Sequence, residues 1–149
     1  MNTAKHLKDL NLRSLPKKLF RFWIKEFGPA IIIAIVIGTC LDVYFVNKGL
    51  YTFPIRPFPE IFKINIAFAF LGLPLLVLMY LWIMKQVTYW GKMGIILFLS
   101  LLMPIIERFS ELLGFFAHSS EWEHIYSFFG YFLFFFFIYK FYQWTNRRN

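Results

Sequence analysis

Four stretches of the chain are apolar almost without interruption, and each has about the 20 residues that a helix needs to cross a hydrocarbon core about 30 Å thick. They run over residues 29–47 (PAIIIAIVIGTCLDVYFVN), 64–84 (INIAFAFLGLPLLVLMYLWIM), 93–113 (MGIILFLSLLMPIIERFSELL) and 125–144 (IYSFFGYFLFFFFIYKFYQW). Pro29 suits a helix start. Pro74 is tolerable within a membrane helix, where neighbours satisfy the carbonyl it frees. Ahead of the first span, PKKLFRFWIKEF (16–27) places Leu19, Phe20, Trp23, Ile24 and Phe27 on one helical face and Lys17, Lys18, Arg21 and Lys25 on the other. That is the pattern of a helix lying in a membrane interface, with Trp23 and the four basic residues at the lipid headgroups. The expected architecture is an all-α integral membrane protein: a basic segment with an amphipathic interfacial helix over 1–28, four transmembrane helices over 29–144, and a tail over 145–149.

Composition points the same way. Apolar residues make up 59% of the 149 residues and aromatics 23%, more than a soluble domain of this size covers with polar surface. Lys5, Lys8, Arg13, Lys17, Lys18, Arg21, Lys25, Lys85, Lys92, Arg147 and Arg148 all fall on one side of the four spans. By the positive-inside rule that side is cytoplasmic, and so are both termini. The connection between the third and fourth spans carries Glu121 and Glu123 and no Lys or Arg. The net charge of +8 then reflects topology and an anionic inner leaflet rather than a nucleic-acid partner. Residues 1–28 lack the short apolar core and small-residue cleavage site of a secretory signal. The single Cys40 excludes an intrachain disulfide and is expected as a packing residue.

Lipid does not drive helices together, so small residues and polar contacts must. Ala30, Ala34 and Gly38 recur every fourth residue, and the same spacing lands on Asp42. An ionisable group is thereby set on the face expected to meet another helix. At about 1.5 Å per residue, Asp42 lies about 20 Å from the cytoplasmic end of its span and Glu107 about 21 Å from the same side. The expectation is a polar cluster in the outer half of the bundle, formed by Asp42, Glu107, Arg108, Glu111, Tyr126 and Ser127. Pairing of Arg108 with Asp42 or Glu111 would make it a structural lock. A surplus of carboxylates over the single arginine would make it a functional pocket. An amphipathic helix end in the outer interface is the third reading.

Beyond the third span, Glu111, His118, Glu121 and His124 supply metal-ligand types, and Glu121 with His124 has the Glu-x-x-His spacing of helical metal sites. A hydrated polar connection explains the same residues. The first outer loop, KGLYTFPIRPFPEIF, is expected to be a stiff cover whose Arg56 and Glu60 reach the cluster from above. Phosphate loops, zinc-protease motifs and nucleophile elbows are missing from the sequence, so no enzyme activity and no cofactor is expected.

The stretches LDVYFVNKGLYTFPIRPFPE, MPIIERFSELLGFF and EHIYSFFGYFLFF resemble small four-span membrane proteins of spore-forming bacilli and clostridia, the CBO-type conserved hypothetical family. The resemblance covers about residues 29–145 and rests on Glu107, Glu111, Trp122, Tyr126 and Ser127. It implies a bacterial cytoplasmic membrane and assigns no activity. The expected function is structural or partner-binding, with the lipid bilayer and a membrane-protein partner or second copy as partners. Ion- or proton-coupled transport or sensing through the carboxylates is the alternative.

Overall fold

The computed structural model describes residues 17–147, with side chains from residue 21 onward. Four long helices dominate: α1 (Lys17–Asn47), α2 (Leu73–Gln86), α3 (Tyr89–Leu112) and α4 (His124–Arg147). Among the described residues, four segments are long and apolar enough to cross a membrane: Arg21–Asn47, Phe68–Gln86, Tyr89–Leu112 and His124–Arg147. The expected four-helix arrangement is therefore present. Two short strands, β1 (Tyr51–Thr52) and β2 (Ala117–His118), pair antiparallel and tie the first connection to the third. This end of the bundle is called the paired-loop end below, and the opposite one, which carries Lys85 and Lys92, the basic end.

The first helix differs from expectation. No boundary separates an interfacial helix from a span, and Pro29 lies inside a continuous helix of 31 residues. Contacts on both sides of the proline keep the helix continuous through it. On the turn before it, the Glu26 carboxylate accepts from Tyr142 Oη at 2.7 Å and pairs with Lys85 Nζ at 2.5 Å, and the Glu26 carbonyl accepts from Asn146 Nδ2. Phe27 stacks on Tyr142 with ring centroids 5.6 Å apart. Just beyond the proline, Ala30 and Ala34 are fully buried. The lost hydrogen bond is thus offset by tertiary packing. Trp23 and Phe27 turn into the bundle rather than towards an interface, whereas Arg21, Phe22, Ile24 and Lys25 are exposed. The interface expectation for the side chains of Lys17 and Lys18 lies outside the described residues.

The small-residue face packs closely. A Cβ on Gly38 would meet Leu73 Cδ2 at 2.6 Å, so the Leu73 side chain of α2 packs into the space that glycine leaves on α1. The proline in the second span has a visible consequence as well. Pro74 sits at the start of α2, directly after a single π-helical turn over Phe68–Gly72. Widening the turn accommodates a ring that would otherwise crowd the preceding carbonyl. Thr88 caps α3 by accepting from the Gly91 N–H. The helix-breaking turn after α3 uses Gly114 at a φ of +78°, a value glycine adopts without strain.

The core fills the space between helices with Phe27, Val77, Tyr80, Leu81, Ile96, Phe135 and Ile138. Two of its buried hydroxyls are satisfied: Tyr80 Oη donates to the Phe135 carbonyl at 2.9 Å, and Ser100 Oγ to the Ile96 carbonyl at 2.7 Å. Outside, Ile32, Val36, Leu75, Met79, Leu101 and Leu133 stand half or more exposed, forming an apolar girdle. Cys40 belongs to this outer surface and not to the packed interior expected for it.

Overpacking the α1 seam separates the two faces of this helix. Ala34→Leu is expected to lower stability in detergent by about 1–3 kcal/mol, and Cys40→Leu, on the exposed face, to change it by less than about 0.5 kcal/mol. Reversible unfolding followed by circular dichroism measures both.

Candidate functional site

The polar residues converge at the paired-loop end, but with different partners from those expected. Asp42, on the last turns of α1, accepts a hydrogen bond from Tyr51 Oη at 2.7 Å. Tyr51 stands on β1, is itself buried, and is held in place by the ladder that sets it opposite His118. Glu107 of α3 accepts from Ser127 Oγ of α4 at 2.5 Å, and Ser127 is buried. Glu111, one turn further along α3, contacts His118 Nδ1 at 2.5 Å. Hydroxyls and imidazoles are therefore the partners of all three carboxylates.

Arg108 does not form the lock. It is exposed, and it lines a surface groove with Pro104, Ile105, Phe109, Leu112 and His124. One residue along a helix is a rotation of about 100°, so a face that turns Glu107 inward turns Arg108 away. Among the described residues no lysine or arginine pairs with Asp42, Glu107 or Glu111. Tyr126 is half exposed and meets the ring of Trp122 edge-on, while its neighbour Ser127 enters the cluster. Arg56 also departs from expectation. It donates to the carbonyls of Phe53, Pro59 and Phe62, bracing its own loop, and Glu60 is exposed.

Two hollows meet at this polar centre. The larger, about 340 Å³, is lined by Asp42, Glu107 and Ser127 together with Phe45, Tyr51, Phe68, Trp122, Tyr126, Tyr131 and Phe134. The smaller, about 130 Å³, shares Asp42, Tyr51, Phe68, Glu107 and Tyr131 and extends towards Asn65 and Ser110. Aromatic rings close one wall: Trp122 lies 5.2 Å from Phe45 and 5.3 Å from Tyr51, centroid to centroid. The indole Nε1 of Trp122 is buried without an acceptor. Phe68 reaches both hollows from the π-helical turn, so the distortion before Pro74 also shapes this wall.

Comparisons with protein-family models, with curated proteins and with solved structures each return no similar protein.

The four candidate metal ligands separate. Glu111, His118 and His124 gather with their ligand atoms within 4.8 Å of one another. Glu121 is exposed, and its N–H is held by Ser119 Oγ in the turn before α4. The Glu-x-x-His spacing does not place two ligands on one helical face here, because α4 begins only at His124. Sequence reasoning missed two contributors. Tyr51 lies in a proline-rich loop whose pattern gives no sign of its role, and Glu26, which anchors the basic end, is the lone acid among the basic residues of 16–27.

Burial, and after it the neighbouring Asp42 carboxylate, pushes the Tyr51 phenol well above the usual tyrosine range. In the unfolded chain the phenol ionises near pH 10. Above that pH the unfolded state has released a proton that the folded state keeps, so stability falls as pH rises. Alkaline unfolding titrations should show this fall in the wild type and a smaller one in Tyr51→Phe. A second comparison tests which polar residue matters to the fold. Ser127→Ala, which strips a buried carboxylate of its donor, should cost about 1–3 kcal/mol, whereas Arg108→Ala should stay within about 0.5 kcal/mol of wild type.

Proposed function

We propose that this chain is a multi-pass protein of a bacterial cytoplasmic membrane that binds an amphiphilic organic cation in the outer half of its helix bundle. The observation that carries the proposal is the pairing of two carboxylates, Asp42 and Glu107, in one aromatic-walled hollow where hydroxyls are their closest partners and, among the described residues, no lysine or arginine pairs with them. Carboxylates withdrawn from water without a counter-charge favour either protonation or a cation. The rings of Phe45, Tyr51, Trp122, Tyr126 and Tyr131 offer π faces that attract a quaternary or protonated amine, and their edges accommodate its apolar arm. The orphaned Trp122 N–H supplies a donor for an oxygen on the same ligand.

The membrane setting is supported by the four apolar helices and the exposed girdle. The orientation, with both chain ends cytoplasmic, is supported by the Lys and Arg count on the basic side. The bacterial assignment is supported by the resemblance of three stretches to four-span proteins of bacilli and clostridia. A purely structural lock loses its main support because Arg108 faces away from the acids. Binding is compatible with sensing or with coupled transport, since a proton and an organic cation would compete for the same carboxylates.

Phenyltrimethylammonium is a suitable probe, having one cationic head and one ring. Equilibrium dialysis with the purified chain in detergent should give saturable binding, weakened about tenfold or more, roughly 1.4 kcal/mol, by Asp42→Asn or Glu107→Gln. Absence of saturable binding, or equal binding by folded variants, would overturn the proposal.

A further inference from the structure

Next to the hollow, but apart from it in chemistry, three side chains from three elements meet. Glu111 comes from the last turn of α3, His118 from β2, and His124 is the first residue of α4. Each position is fixed by backbone structure. His118 is held by its ladder with Tyr51, and the turn after α3 is closed by the Gly114 and Phe115 N–H groups donating to Glu111 and Ser110 carbonyls. The imidazole rings of His118 and His124 lie 5.0 Å apart.

His124 is the informative member. Both of its ring nitrogens are buried, and neither has a hydrogen-bond partner. Nε2 lies 3.8 Å from Glu111 Oε2, and Nδ1 lies 3.6 Å from Glu107 Oε2. These separations are too long for hydrogen bonds. The Glu111–His124 separation is near the spacing between two ligands of one tetrahedral ion, about 3.3–3.5 Å for bonds of about 2.0–2.1 Å. The arrangement is also ordered in two layers. With Nε2 turned to the ion beside Glu111, Nδ1–H is turned to the Glu107 carboxylate, which Ser127 in turn holds by its hydroxyl. A carboxylate behind a ligating histidine fixes its tautomer and raises its basicity.

We infer that Glu111, His118 and His124 bind a first-row divalent cation of the zinc class, with Glu107 positioning His124. Two imidazoles and one carboxylate are a donor set that zinc accepts, leaving one position for water. The ion links the end of α3, the loop ladder and the start of α4, and so stiffens the cover over the hollow. The inference does not depend on the cation reading above.

The test uses the full chain purified in detergent, stripped with a chelator and dialysed against limiting zinc chloride. Elemental analysis should find about one zinc per chain, and cobalt(II) in its place should give the intense visible absorption of a tetrahedral site. His118→Ala and His124→Ala should each weaken zinc binding by about tenfold or more, and Glu107→Gln by about 10–100-fold. Glu121→Gln, at an exposed position outside the cluster, should bind zinc as wild type does. Zinc should also raise the unfolding temperature of the wild type and not that of His124→Ala. Substoichiometric zinc in folded wild type overturns the inference, and so does unaltered binding by the double histidine variant. If the alanine variants do not fold, His118→Gln and the cobalt spectrum of the wild type decide. An octahedral spectrum in the wild type counts against the site. Phenyltrimethylammonium binding is measured on the zinc-free protein, so either result can fail without the other.

Discussion

A carboxylate withdrawn from water must find donors or a counter-charge, and the paired-loop end of this bundle is organised by that requirement. Asp42 and Glu107 are carried by helices whose other residues are nearly all apolar, so the donors must come from elsewhere. For Asp42 the donor is on a loop: Tyr51, held by a two-residue ladder that fastens the first connection to the third. For Glu107 it is on the neighbouring helix: Ser127. The loops are thereby drawn onto the helices, and Phe45, Trp122 and Phe116 pack around Tyr51 as a result. The aromatic cover and the hollow beneath it are two sides of one solution.

The basic end solves the same problem in the other way. There the Glu26 carboxylate receives a true counter-charge from Lys85, together with the Tyr142 hydroxyl. That end is cross-linked, with Phe27 stacked on Tyr142 and Lys85 lying over the rings of Phe22 and Phe27. The contrast gives the bundle a polarity. One end spends its acid on holding helices together, while the other keeps two acids facing a cavity with hydroxyls as their hydrogen-bond donors and only the His124 imidazole beside Glu107. The functional proposal grows from this difference, because a carboxylate already paired with a lysine attracts a cationic ligand less than one without such a partner.

Much of the fold was legible because apolar length and small-residue spacing are written locally. The four spans, the buried Ala30 and Ala34, the close approach at Gly38 and the turn of Glu107 and Ser127 towards each other follow from helical periodicity. What was not legible depended on contacts distant in sequence. Pro29 reads locally as a helix start, and only the contacts of Glu26 and Phe27 with α4 and Lys85 keep the helix running through it. Arg108 reads as the natural partner of nearby acids, yet one step of about 100° takes it to the outer surface. Tyr51 and His118 belong to strands two residues long, too short to show any alternation. The gathering of His118 and His124 around Glu111 depends on that ladder, so spacing alone selected Glu121 in error.

The central claim is that a loop-borne phenol stabilises the buried Asp42 and so holds the cover on the bundle. A double-mutant cycle measures that coupling directly, through reversible unfolding of the wild type, Asp42→Asn, Tyr51→Phe and the double variant in detergent. The account predicts a coupling energy of about 1–3 kcal/mol between the two positions. Additive effects in four folded proteins, with a coupling indistinguishable from zero, would contradict it.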